Sequence, residues 1–200
     1  MQRLCLSLLL IVSSVCLAQT YDASGQGKAL TTRCIACHGE DGNGHIAVFP
    51  KLAGQQPSYL LKQLTDIQSG QRHVPQMAGL LDNYSAQDLS DIASYFAGQQ
   101  ITLEHTAPDY LEQGATLYRF GNPETGVTAC AACHGPAGKG INSARFPALG
   151  GQFEGYTKAQ LQAFKNGTRN NDMANIMQQI AKPLSNAEID AVANYLQGLH

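Results

Sequence analysis

The chain has 200 residues, with 13 Lys and Arg against 15 Asp and Glu, a formal charge of −2. That balance argues against nucleic acid as a partner, since nucleic acid selects basic surface. Past residue 18 no apolar run approaches the roughly 18 residues that a membrane-spanning helix needs, so the mature chain reads as soluble.

Residues 1–18 read as an export signal, with Arg3, a largely apolar run from Leu4 to Val12, and small residues at Ser13 and Ser14. Cys16 and Ala18 suit the minus-three and minus-one positions, so the mature chain is expected to start at Gln19. An uncleaved anchor is the bland alternative, and bulky Val15 disfavours lipid attachment at Cys16. Without residues 1–18 the count is 12 positive against 15 negative, a charge of −3.

A first helix is expected over residues 23–31, followed by CIACHG at 34–39 and FPKLAGQ at 49–55. Glycines 39, 42 and 44 mark tight turning, because the Lys-Ser/Thr ending and preceding strand of a phosphate cradle are missing. Pro57 opens a middle helix to Ile67, and Arg72 and Met77 follow. Ser85 with Asp88 forms a capping box for a helix whose buried stripe is Leu89, Ile92, Ala93 and Phe96. Residues 101–108 lack helical periodicity and end in Pro108, which marks a seam.

Beyond the seam the pattern repeats. Asp109 and Glu112 are expected to form a capping box for a helix to Tyr118. Nine extra residues then precede CAACHG at 130–135, and FPALGGQ follows at 146–152. A middle helix is expected over residues 155–164, then Arg169, Met173 and Met177. Ser185 with Glu188 caps a last helix striped by Ile189, Val192, Ala193 and Leu196. Tyr59, Arg72 and the loop positions recur at an offset of 97, as Tyr156, Arg169 and theirs; Met77, Ser85 and Tyr95 recur at 100. So many ordered matches imply an internal duplication. No convincing strand is found, so the expected fold class is all-α, a tandem pair of domains. The expected boundaries are 1–18 for the signal, 19–100 and 101–200 for the domains, with a linker at about 101–108.

Outside the signal, the cysteines are Cys34, Cys37, Cys130 and Cys133, each pair followed at once by His38 or His134. Two disulfides are the default for an exported chain, but C-x-x-C-H twice in a duplication is the signature of haem attachment. A thioredoxin-like site expects an α/β context that is missing here. A zinc site would leave both histidines superfluous. Two covalently attached haem c groups are therefore expected, with His38 and His134 on the iron. Met77 is the one methionine of the first mature half, and Met177 precedes Ser185 by the eight residues that separate Met77 from Ser85. Met77 and Met177 are thus preferred as sixth ligands over Met173, and over His45 and His73, which have no counterpart in the second copy. The carbonyls of Pro50 and Pro147 are expected to accept from the ligating imidazoles. Tyr59, Tyr156, Arg72 and Arg169 are expected within reach of the haem propionates.

With these motifs the mature chain, about 180 residues, resembles the cytochrome c4 family: bacterial dihaem proteins of two class I cytochrome c domains. The resemblance rests on both C-x-x-C-H segments, FPKLAGQ and FPALGGQ, the placement of Met77 and Met177, and the closing NNDMANIMQQIAKPLSNAEIDAVANYLQGL. It implies a periplasmic electron carrier, soluble or loosely associated with the membrane, and not an enzyme. Implied partners are a terminal oxidase or nitrogen-oxide reductase as acceptor, and a bc1-type complex or dehydrogenase as donor. The alternative is the dihaem subunit of a dehydrogenase such as a sulfide-oxidising flavocytochrome. The nine-residue insertion departs from the repeat and touches the local surface rather than the ligands.

Overall fold

The structure, a computed structural model, describes residues 23–200; the export signal and the start at Gln19 lie outside the described residues. The first half contains α1 (Ala23–Leu30), α2 (Ile35–His38), α3 (Pro57–Gln68) and α4 (Ala86–Ala97). The second contains α5 (Pro108–Phe120), α6 (Ala131–His134), α7 (Glu154–Lys165), α8 (Ile176–Ala181) and α9 (Asn186–Gly198). Among the described residues no strand forms; two isolated antiparallel bridges, Asn122–Val127 and Ile141–Phe146, close short loops.

Both closing helices start as their sequences dictate. Ser85 Oγ accepts from the Asp88 N–H at 3.1 Å while Asp88 returns the bond at 2.8 Å; Ser185 and Glu188 do the same at 3.2 and 2.8 Å. The apolar stripes of α4 and α9 are at most 2% exposed and form the two cores. The helix α5 departs from expectation. It begins at Pro108 with Ala107 as its N-cap, and no Asp109–Glu112 box forms. Proline at the first helical position lacks only an N–H that would be unpaired anyway, and the Ala107 N–H is taken by Asn194 Oδ1 at 2.8 Å.

In each half the first long helix crosses the last at a glycine. A Cβ on Gly27 would lie 2.3 Å from the Asp91 carbonyl oxygen, and one on Gly114 would lie 2.5 Å from that of Ala191. No other residue fits at either crossing without parting the helices. The nine-residue excess of the second half forms a small loop: Asn122 and Val127 exchange two backbone bonds at 2.9 Å, and Val127 enters the core. Asn122 Nδ2 also donates to Glu188 Oε1 at 2.7 Å, tying this loop to the cap of α9.

Residues 101–107 are laid down as a strap. The Thr102 N–H donates to Asn43 Oδ1 at 2.8 Å on the first half, and the Glu104 N–H to the Gln197 carbonyl at 3.0 Å on the second. Lys51 is fully buried against the strap, its Nζ donating to the Thr102 carbonyl at 2.6 Å, ion-paired with Glu104 at 2.9 Å, and 4.5 Å from the Phe153 ring centre. The halves meet reciprocally. Gln55 binds Ala148 and Gln152 binds Lys51; Arg72 binds Tyr156 and Arg169 binds Tyr59. Such exchange of equivalent contacts marks an approximate two-fold relation.

Candidate functional site

Each C-x-x-C-H segment forms a four-residue helix with the first cysteine as N-cap and the histidine as last residue. Positions three apart on a helix face the same way, so each pair of thiols can reach one ligand. Gly39 and Gly135, with φ of 77° and 79°, then turn the chain away in a conformation that side chains resist. All four thiols are free. Before any ligand is attached, burial pushes the Cys34 and Cys130 thiols up to about 11. No group of three or more His, Cys, Asp and Glu side chains converges among the described residues, so the cysteines do not share one metal cage.

His38 and His134 are buried, and each Nδ1 lies 2.9 Å from a carbonyl oxygen, of Pro50 and Pro147 respectively. A carbonyl only accepts, so Nδ1 carries the proton and the Nε2 lone pair is left for a metal. Burial lowers both imidazoles below the ordinary histidine value, against the opposing pull of the proline carbonyls, which keeps the rings neutral. The proline loops are held in turn: Leu52 N–H donates to the Gly42 carbonyl and Leu149 N–H to that of Gly138, both at 2.7 Å.

All fourteen residues singled out from the sequence line one cavity of about 1190 Å³ that runs across the meeting of the halves. Pockets for one small ligand usually span about 300–1,000 Å³, so this volume suits two large apolar groups, one beside each cysteine pair. Met77 ends the 3₁₀ turn Pro75–Met77 and Met177 lies in the first turn of α8; both are half-buried. Met173 is 62% exposed. His45, His105 and His200 are exposed, as is His73, although His73 lines the cavity.

The arginines and tyrosines are arranged in a way that local sequence does not reveal. Arg72 donates to Tyr156 Oη at 3.0 Å and Arg169 to Tyr59 Oη at 3.0 Å, each across to the other half. Gln63 accepts from both arginines, at 2.9 and 3.2 Å, and so does Gln160, at 3.1 and 2.8 Å. Burial pushes the Tyr59 hydroxyl up, but Arg169 and Arg72 outweigh it and draw it below the ordinary phenol value. Sequence reasoning missed Gln63, Gln160, Lys51, and the roles of Gln55 and Gln152. The signal available was recurrence at the common offset of 97, of Gln55 as Gln152 and of Gln63 as Gln160.

These features fit haem c: paired thiols beside an apolar cavity, a neutral imidazole with its outer nitrogen already bonded, and a thioether lining the same space. A family model for cytochrome c matches residues 24–100 and 111–200. The chain is 48% identical over 201 residues to cytochrome c4 of Pseudomonas aeruginosa, covering 100% of both. It is 38% identical to the thiosulfate dehydrogenase electron acceptor of Stutzerimonas stutzeri, covering 86% of this chain and 81% of that one. The crystal structure of reduced cytochrome c4 from Pseudomonas stutzeri superposes with a TM-score of 0.87 at 45% identity, covering 88% of this chain and 98% of that one.

Proposed function

Because the chain belongs to the cytochrome c4 family, we propose that each half holds one haem c through its own C-x-x-C-H segment and methionine. The protein is a periplasmic dihaem electron carrier of respiration with two covalent haem c groups, and it is not an enzyme. Cys34 with Cys37, and Cys130 with Cys133, form the covalent links. His38 and Met77 would hold the iron in the first half, and His134 and Met177 in the second. The halves are taken as residues 19–100 and 101–200, after an export signal of 1–18.

A bound haem c supplies an iron that changes valence by one electron. The chain decides how readily. His38 and His134 keep their protons on Pro50 and Pro147 and present Nε2 alone. The soft thioethers of Met77 and Met177 would favour the reduced state, and an iron held by imidazole and thioether would offer no open site to a substrate. Arg72 and Arg169, backed by Tyr59 and Tyr156, offer planar cationic donors to the carboxylates of the two groups. The observation that carries this reading is the 2.9 Å contact from Nδ1 to a proline carbonyl in both halves.

Electrons are exchanged with respiratory redox proteins. As acceptor we favour a terminal oxidase or nitrogen-oxide reductase, and as donor a bc1-type complex. A second reading, service to a dehydrogenase, is favoured by the similarity to a thiosulfate dehydrogenase electron acceptor. Haem counting and a redox-resolved spectrum of the purified chain test the ligand set. Two covalent haems and a far-red methionine–iron charge-transfer band are expected; fewer haems, or iron that readily takes up added ligand in both halves, would overturn it.

A further inference from the structure

Gln152 is buried where the halves meet. Its Oε1 accepts from the Lys51 N–H at 2.9 Å and its Nε2 donates to the Lys51 carbonyl at 2.9 Å. The Lys51 N–H belongs to the same peptide unit as the Pro50 carbonyl, which accepts from His38 Nδ1. The other half mirrors this. Gln55 Oε1 accepts from the Ala148 N–H at 2.7 Å, its Nε2 donates to the Ala148 carbonyl at 2.9 Å, and the Pro147–Ala148 peptide accepts from His134. The Phe153 and Gln56 N–H groups also donate to these glutamine oxygens, at 3.0 and 2.9 Å, and fix the orientation of both amides. Each imidazole therefore stands in series, through one planar peptide, with a side chain of the opposite half.

We propose that Gln152 and Gln55 are positioning residues that set the donor strength of the axial histidine in the half to which they do not belong. This rests on His38 and His134 being the ligands. A peptide is a resonant unit, so an acceptor on its N–H makes its carbonyl more negative, and hydrogen bonds in series strengthen one another. A stronger carbonyl acceptor raises the basicity of the imidazole, and a more basic imidazole favours oxidised iron. Removing the glutamine acceptor should make the opposite haem easier to reduce. The clamp has a positional component as well, since its two bonds grip Lys51 or Ala148 on both backbone sides and hold the adjoining carbonyl against the ring.

The test uses the whole haem-loaded chain and reads each haem separately through its paramagnetically shifted NMR signals during a potentiometric titration. Gln152→Met keeps the length and loses both bonds. It is expected to raise the reduced-to-oxidised ratio of the first-half haem about threefold, about 28 mV at 59 mV per decade, and to leave the second unmoved. Gln55→Met should do the converse. Gln152→Glu strengthens the acceptor and should shift the first-half haem the opposite way, which keeps the test open should the methionine variant fail to assemble. Ser58→Ala, which removes a 2.5 Å bond to the Asn142 carbonyl elsewhere on the same interface, should shift neither haem. Shifts confined to the substituted half, equal shifts in both, or none in a folded variant would overturn the proposal. Loss of the methionine band in the unaltered chain would instead sink the ligand assignment beneath it.

Discussion

The histidine sides of the two halves are near copies, whereas the methionine sides are not. His38 and His134 end helices of equal length and meet their prolines at the same 2.9 Å. Met77 sits in a bare 3₁₀ turn, but Met177 follows two left-handed residues, Ala174 and Asn175, with φ of 52° and 56°. Non-glycine residues hold that conformation only when their surroundings require it. Here Asp172 does so, accepting from the Met177 N–H at 2.7 Å and from the Gln178 side chain at 3.1 Å. The imidazole is placed by a five-residue segment and one loop, whose His-to-Pro separation of 12 residues in the first half and 13 in the second differs by only one. The thioether rides on a flexible side chain, so the loop carrying it has absorbed three extra residues since the duplication without leaving the cavity.

The largest test of this contrast is ligand removal. Met77→Ala and Met177→Ala should each cut the far-red thioether band to about half while haem stays attached, since one iron of two loses its sulfur. Met173→Ala should leave the band intact. Loss of the band in the Met173 variant would reverse the assignment in the second half.

The arginines differ next. Arg169 is buried, bonded to Tyr59, Gln63, Gln160 and Asn171, and lies 4.5 Å from the Phe164 ring centre; Arg72 is only half-buried and has three partners. Hydrogen bonds to charged groups contribute about 1.5–3 kcal/mol each, so Arg169→Ala should lower the denaturation midpoint clearly more than Arg72→Ala. Equal losses would mean that burial does not distinguish them.

The smallest effect lies at the caps. Ser85→Ala and Ser185→Ala should each cost about 0.5–2 kcal/mol in chemical denaturation. Hydrogen bonds from Ser85 hold the Asp88 carboxyl below its ordinary value. Glu188 is pushed up by burial, but bonds from Asn122 and Ser185 prevail and hold it low too. A depressed carboxyl stabilises the fold above its unfolded pKa, and that contribution disappears as pH falls through the folded one. Both caps should therefore weaken below about pH 4. Glu188→Gln should flatten the acid limb of the thermal midpoint, and Asp88→Asn less so, because only Glu188 also anchors the inserted loop.

What the sequence made legible follows the reach of its signals. Ser85 with Asp88 and Ser185 with Glu188 lie three residues apart and bond as expected; Gly27 and Gly114, each inside the first helix of its half, lie at the helix crossings. Both C-x-x-C-H segments and their proline loops were readable because every partner lies within 13 residues. Asp109 misled because Pro108 beside it is the stronger start signal. Contacts from Arg169 to Tyr59 or from Gln152 to Lys51 span 110 and 101 residues and leave no local periodicity. Their only trace was polar residues recurring at equivalent places in both copies.

The strap at residues 101–107 bears on why so polar a junction between the halves holds at all. Two separate proteins meeting through glutamines, arginines and tyrosines would first have to overcome the loss of free tumbling, which costs several kcal/mol or more. A short, well-anchored tether removes most of that cost by keeping the second surface at a high effective concentration beside the first. The junction can then use its side chains for directional bonding instead of greasy area, and its geometry stays adjustable one hydrogen bond at a time.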